Sequence, residues 1–167
     1  YHPDWPPAID LSATIHVDNH QVRTDDATGK VYSSHASDVD VFVVIPDSGQ
    51  ADLVKVSAEV KGPFEDAIRV LKETPLAEVT SNMAAQWSAD GEMQATLAIE
   101  VPIGVRAEEE MHSDVLVSIE NVLLHMPDFD LDIALLAGDI RYSNESGLTS
   151  DGFAGMTFGR GISGRIS

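Results

Sequence analysis

Apolar and polar residues alternate one for one along most of this chain. Ile9, Leu11, Ala13, Ile15 and Val17 are interleaved with Asp10, Ser12, Thr14, His16 and Asp18. That is the signature of a strand with one oily and one wet face. The turn expected at Asp18-Asn19-His20 leads to a return strand around Gln21 to Thr24, and Thr28-Gly29-Lys30 reads as a further turn before Val31 to Ser34. Val39, Val41 and Val43 form the next run, closed by Pro46-Asp47-Ser48-Gly49. Val54, Val56, Ala58 and Val60 then alternate with Lys55, Ser57, Glu59 and Lys61.

The period changes once. After Gly62-Pro63, the residues Phe64, Ala67, Ile68 and Leu71 recur at helical spacing, so one face of the segment is apolar. Pro63 suits the first helical turn, where its missing N–H costs nothing. Glu65 and Asp66 suit the positive end of the helix dipole, and Pro75 ends the helix. Leu76 to Gln86 reads as a weaker helical or irregular stretch and Ala89-Asp90-Gly91 as a turn. Strands resume with Met93, Ala95, Leu97, Ile99 and Val101, ended by Pro102. After the charged loop at Glu108-Glu109-Glu110 come Val115, Val117 and Ile119, with Val122 and Leu124 continuing past an irregularity. Phe129, Leu131, Ile133 and Leu135 alternate with Asp128, Asp130 and Asp132. Ile140 and Tyr142 follow an expected turn at Ala137-Gly138-Asp139, and the Gly-rich stretch Leu148 to Phe158 suits bent or bulged strands.

Nine or ten antiparallel strands and one short helix near residues 63–74 make the expected fold class mainly β. Such a helix cannot cover the apolar faces of all these strands, so what does cover them decides the function. Taken alone, the alternation favours an ordinary β-sandwich core, in which a second sheet fills the space. Thr28 to Ser33 and Ala137 to Ser143 both place a glycine before a tyrosine-containing strand, a faint internal echo too short to establish a repeat.

Composition narrows the classes. The chain has 167 residues, 43% of them apolar, which suffices for a packed domain. No run of about 18 apolar residues is present to span a membrane as a helix. Tyr1-His2-Pro3-Asp4-Trp5-Pro6-Pro7 reads as the interior of a longer chain and Ile166-Ser167 as an interrupted strand. Residues 1–167 are therefore expected to be a single segment excised from a larger protein. The net charge of −18, from 28 acidic and 10 basic residues, argues against nucleic acid as a partner, because such binding uses Lys and Arg to displace counterions. With no cysteine there are no disulfides and no thiolate metal sites.

Candidate chemistry is thin. His16, Asp18 and His20 would share a face on a continuous strand and suit zinc, but a turn within the motif scatters them. Asp128, Asp130 and Asp132 open like a calcium loop, yet Ile133 stands where such a loop needs glycine. Gly161-Ile162-Ser163-Gly164 lacks the spacing of a nucleophile elbow, and no Gly-rich phosphate loop with its lysine occurs. No catalytic residue, metal or cofactor is expected. Asn144-Glu145-Ser146 is a formal glycosylation sequon, and Trp5 and Trp87 read as packing residues.

The order of the motifs carries more. Trp5-Pro6-Pro7 before a strand is followed by Gly62-Pro63 with its helix and Pro75-Leu76, and then by Leu97-Ala98-Ile99-Glu100-Val101-Pro102-Ile103. The series ends with Gly138-Asp139-Ile140-Arg141-Tyr142, Gly147-Leu148-Thr149-Ser150 and Phe158-Gly159. This succession resembles the AsmA-like proteins of Gram-negative envelopes, in their YhdP branch, across essentially the whole chain. Phe64 and Ile103 depart from the usual leucines, and the surface is unusually acidic.

The resemblance implies a long, twisted, curved antiparallel sheet forming a groove, in a periplasmic protein anchored in the inner membrane. It also implies a bridge-like conduit moving phospholipids between the inner and outer membranes. The partners it implies are phospholipid acyl chains, neighbouring segments of the same protein and the two membranes. The groove lining would then be Ile15, Val17, Val41, Val43, Val56, Val60, Leu97, Ile99, Val117, Ile119, Leu131, Ile133, Ile140 and Phe158, with the helix capping one side. The alternative is a β-sandwich binding or scaffold module that assists outer-envelope assembly.

Overall fold

The computed structural model describes residues 5–18, 20–45, 52–79 and 82–167. The expected turn at Pro46 to Gly49 and residue Asn19 of the His16–His20 motif lie outside the described residues. The chain forms one open antiparallel sheet of ten strands. In chain order the strands begin with β1 (Ile9–Val17), β2 (Gln21–Val31), β3 (Ser34–Val44) and β4 (Leu53–Pro63). The helix α1 (Phe64–Glu73) and the short helix α2 (Leu76–Val79) follow, and a 3₁₀ turn at Met83–Gln86 precedes β5 (Ser88–Asp90). Then come β6 (Glu92–Pro102), β7 (His112–Met126), β8 (Leu131–Ser143), β9 (Gly147–Thr157) and β10 (Arg160–Ile166). The strands lie side by side in sequence order, except that β5 leaves the path and pairs with the far end of β7. No second sheet packs on this one among the described residues, so the sandwich arrangement is absent there.

At the centre of the sheet, β4 and β6 pair without interruption from Leu53 opposite Pro102 to Pro63 opposite Glu92. On either flank the ladders are bulged. Asp10, Asp26 and Asp38 on β1 to β3, and Asn121 and Leu135 on β7 and β8, adopt left-handed backbone conformations. They fall where the pairing shifts register. Each bulge inserts a residue, bends its strand and increases the local twist. The bulges strand backbone groups, and hydroxyls collect some of them. Thr24 Oγ1 accepts from Val41 N (2.9 Å) and donates to Val39 O (3.2 Å). Ser150 Oγ donates to Asp139 O (2.7 Å).

Several sequence expectations move. Thr28-Gly29-Lys30 and Ala137-Gly138-Asp139 are not turns: β2 and β8 run straight through them. A Cβ on Gly29 would strike Leu11, and one on Gly138 would strike the Gly152 carbonyl oxygen and Phe153. Both glycines therefore admit a neighbouring strand rather than reverse the chain. The turn after β2 falls at Tyr32-Ser33, with Tyr32 at φ 53°. Ala89-Asp90 belongs to β5, and only Gly91, at φ 128°, breaks the line into β6. Phe129 lies in a 3₁₀ turn before β8, and Leu135 occupies a bulge, so the alternation read from Phe129 to Leu135 holds only for Leu131 and Ile133.

Helix α1 forms where the sequence placed it, with acidic Glu65 and Asp66 in its first turn. It buries Phe64 and Ile68 in a cluster with Met93, Ile119, Val122, Leu124, Met126, Ile133 and Leu136. Trp87 and Ala89 pack on its border. This cluster is the main core, and it occupies only one end of the sheet.

Candidate functional site: an uncovered apolar face

Directly paired residues in an antiparallel sheet project from the same face. Register therefore assigns the faces. Val17 is opposite Val22, Val22 opposite Val43, and Val43 opposite Val54. Val41 pairs with Val56 and Val56 with Ile99. Further along, Ala95 pairs with Val117 and Val117 with Ile140, while Leu97 faces Val115 and Leu124 faces Ile133. Thirteen of the expected lining residues thus share one face: Ile15, Val17, Val41, Val43, Val56, Val60, Leu97, Ile99, Val117, Ile119, Leu131, Ile133 and Ile140. None of these positions carries a charge. Phe158 does not join them. With Gly159 it forms the tight turn between β9 and β10, both residues at positive φ, and it is 82% exposed. Ile9 also leaves the apolar set, because the bulge at Asp10 places it opposite Lys30.

The shared face has two parts. Ile119 and Ile133 lie within the core beneath α1, and Val117, Leu131 and Ile140 border it. Val41, Val43, Val56, Val60, Leu97 and Ile99 are half-buried and lie outside the core cluster. Ile15 and Val17 on the edge strand are 64% and 71% exposed. On β6 the boundary falls within a few residues: Met93 and Ala95 are buried, and Leu97, Ile99 and Val101 are not. The open part is an aliphatic strip that runs across the strands. Its residues lie on β1, β3, β4 and β6, so with β2 it crosses five adjacent strands. A spacing of ~4.8 Å gives it a length of about 19 Å, and three alternate side chains give it a height of about 14 Å.

The opposite face is wet, and several of its charges are paired. Lys55 bonds Glu100 (2.6 Å) and Lys30 bonds Asp10 (2.8 Å). In each case the hydrogen bond from the lysine holds the carboxyl below the usual carboxylate range. His16 sits on this face beside Asp25 (2.9 Å). Asp18 closes the turn by accepting from the backbone N–H groups of His20 and Gln21 and from the Gln21 side-chain amide. The residues read as possible zinc ligands therefore stabilise a turn and a strand pair. Among the described residues no cluster of three or more His, Asp or Glu is arranged to hold a metal. Asn144 Oδ1 accepts from Ser113 N and Ser113 Oγ across the end of β7.

Sequence reasoning missed the polar contacts that hold α1 at the border of the strip. Asp66, only 5% exposed, accepts hydrogen bonds at Oδ2 from Ser33 N (3.0 Å), Ser33 Oγ (2.8 Å) and Ser34 Oγ (2.7 Å). Tyr32 donates to Glu73 (2.9 Å), and the Arg69 guanidinium lies 3.7 Å from the centre of the Tyr32 ring. Burial, followed by the bond to Glu73, pushes the Tyr32 hydroxyl up to about 12. Arg69, followed by Tyr32, holds the Glu73 carboxyl below its ordinary value. Asp66 lies off the helical stripe of Phe64, Ala67, Ile68 and Leu71, so no periodicity marks it.

An open single-layer sheet with one uncharged aliphatic face defines a class: proteins whose sheet presents a broad apolar surface. The chain belongs to the YhdP protein family, whose family model matches residues 1–167. It is similar to the intermembrane phospholipid transporter YhdP of Escherichia coli strain K12, with 26% identity over 150 residues. That alignment covers 86% of this chain and 11% of the relative, so the chain spans about a ninth of the curated protein it matches. No solved structure matches the chain.

Proposed function

We propose that this chain is one segment of a periplasmic conduit along which phospholipids move between the inner and outer membranes, with acyl chains on the apolar strip. The observation that carries the reading is the strip itself: aliphatic positions in register on neighbouring strands, left uncovered on a sheet whose other face is charged. The family membership and the phospholipid transporter among the relatives agree with it.

Each acyl methylene removed from water contributes about 0.8 kcal/mol, so a tail lying on several strands offsets the freedom it loses on binding. Val, Ile, Leu and Ala make no directional demands, and successive positions along the strip are near equivalents. A tail therefore slides without breaking a specific bond. Backbone groups stay paired within the sheet. The headgroup remains at the open side in water, where the acidic surface offers it little attraction. No catalytic group enters, which makes the role a non-enzymatic one. None of the described helices is long and apolar enough to cross a membrane, and anchoring in the inner membrane is assigned to parts of the full-length protein beyond this segment.

The test is lipid retention by the full-length protein. Mass spectrometry of the protein extracted from its envelope should find co-purifying phospholipid. The paired change Ile99→Asp with Val43→Asp, both in the open part of the face, should reduce the lipid recovered while the protein stays folded. Unchanged lipid in a folded double variant would count against this strip.

A further inference from the structure

Helix α1 is held on two sides by different means. On the side of β5 the contacts are close in sequence: Phe64 N donates to Gly91 O (2.9 Å), Ala89 N donates to Glu65 (2.6 Å) and Lys72 donates to Trp87 O. On the other side the helix reaches the tip of the β2–β3 hairpin, more than thirty residues away in sequence, through polar groups alone. These are Asp66 with Ser33 and Ser34, and Glu73 and Arg69 with Tyr32. The β5 side has the character of a hinge, and the hairpin side that of a clasp. Breaks at Gly62-Pro63 and Thr74-Pro75 bound the helix at both ends.

We propose that Asp66 is a positioning residue that fixes the boundary of the lipid-accessible strip. By clasping α1 to the hairpin tip it keeps Phe64 and Ile68 over the upper rows of the sheet, so acyl chains reach Leu97 on β6 but not Met93 four residues away. The inference rests on the lipid reading above. Its physical basis is that the clasp is concentrated on one oxygen. Asp66 Oδ2 takes all three hydrogen bonds, so loss of that carboxylate strands three donors together, two on the exposed Ser33 and one on Ser34, which is buried. The space above Met93 is apolar once the helix tilts away, and a lipid tail is chemically equivalent to the Phe64 and Ile68 side chains that leave it.

The experiment places a photocrosslinking amino acid at Leu97 or at Met93 in the full-length protein in its envelope, with and without Asp66→Ala. The parent should give phospholipid adducts at Leu97 and few at Met93. Asp66→Ala should raise the Met93 yield several-fold towards that of Leu97 and leave the Leu97 yield unchanged. Asp66→Asn, which keeps an oxygen in place for the serine donors, should return the pattern most of the way to the parent. A cysteine at Met93 should gain maleimide labelling in Asp66→Ala by a similar factor, a readout that needs no lipid.

Equal adducts at Met93 in the parent, or an unchanged Met93 yield in Asp66→Ala with Leu97 adducts retained, would overturn the inference. No adducts at Leu97 in the parent would overturn the lipid reading instead, and the cysteine labelling would still judge the clasp. If Asp66→Ala lowers the amount of folded protein, Tyr32→Phe combined with Ser33→Ala decides by the same two readouts.

Discussion

Ile68 and Ile15 are the same residue on the same side of one sheet, yet they live in different surroundings. Ile68 is 2% exposed, held by α1 against Met93, Ile119, Val122 and their neighbours. Ile15 is 64% exposed on the edge strand, with no layer above it. Both regions arise from the same alternating pattern, and the difference is that ten residues of helix fold back over one of them. Where α1 lies, the apolar face is a conventional core that stabilises the fold. Where it does not, an equally apolar face is left uncovered by the described residues. Exposed apolar surface on this scale is of the kind that receives a partner, and among the described residues such a face is covered at one end only.

The contrast is broken most forcefully by truncating each isoleucine. Ile68→Ala should cost about 2–5 kcal/mol of stability, the range for a buried aliphatic truncation. Ile15→Ala should stay within about 0.5 kcal/mol, as surface changes do. Denaturant unfolding monitored at Trp87, which borders the core, reads both. Comparable losses at the two positions would mean that the exposed face is covered after all.

A smaller effect comes from the backbone. Gly138 sits at φ 148°, and a Cβ there would lie 2.6 Å from the Gly152 carbonyl oxygen. Gly138→Ala should therefore destabilise by about 1–3 kcal/mol through strain, loosening the β8–β9 ladder. Gly161→Ala, where a Cβ meets nothing within 4 Å, should be near neutral. Hydrogen exchange of the β9 amides distinguishes the two.

The smallest effect is that of pH on the clasp. Glu73 titrates below its ordinary value in the folded state, so its contribution is present at neutral pH and is lost as pH falls through that lowered value. Tyr32 titrates above its ordinary value of 10, so its contribution is complete below pH 10 and is lost as pH rises towards about 12. Proteolysis at the α1 boundary should be slowest between these limits and faster on either side, and Tyr32→Phe should remove the alkaline limb.

Much of this architecture is legible in the residues. Val54 to Val60 and Met93 to Val101 declare their faces because β4 and β6 pair without a bulge, and Gly62-Pro63 announces the single helix. The bulges at Asp26 and Asp38 are not legible, because both look like ordinary polar positions and only the structure shows their left-handed backbones, whereas the one at Asn121 shows as the break in alternation between Ile119 and Val122. Gly29 and Gly138 mislead for a related reason. A glycine that admits Leu11 or Phe153 from the next strand looks, in sequence, like one that turns the chain. Thirteen of the expected lining positions share a face through alternation plus register, whereas Phe158 falls in a turn because the Phe158-Gly159 pair takes up positive φ. The clasp at Asp66 joins segments more than thirty residues apart and has no periodic trace.

The most direct test compares two adjacent residues of β6. Ile99 lies on the apolar strip, and Ala98 lies on the opposite, exposed face. A photocrosslinking amino acid at each site in the full-length protein should capture phospholipid at Ile99 and little or none at Ala98. Equal capture at both, or adducts at Ile99 formed only with other parts of the protein, would contradict the view that this face is kept bare for lipid.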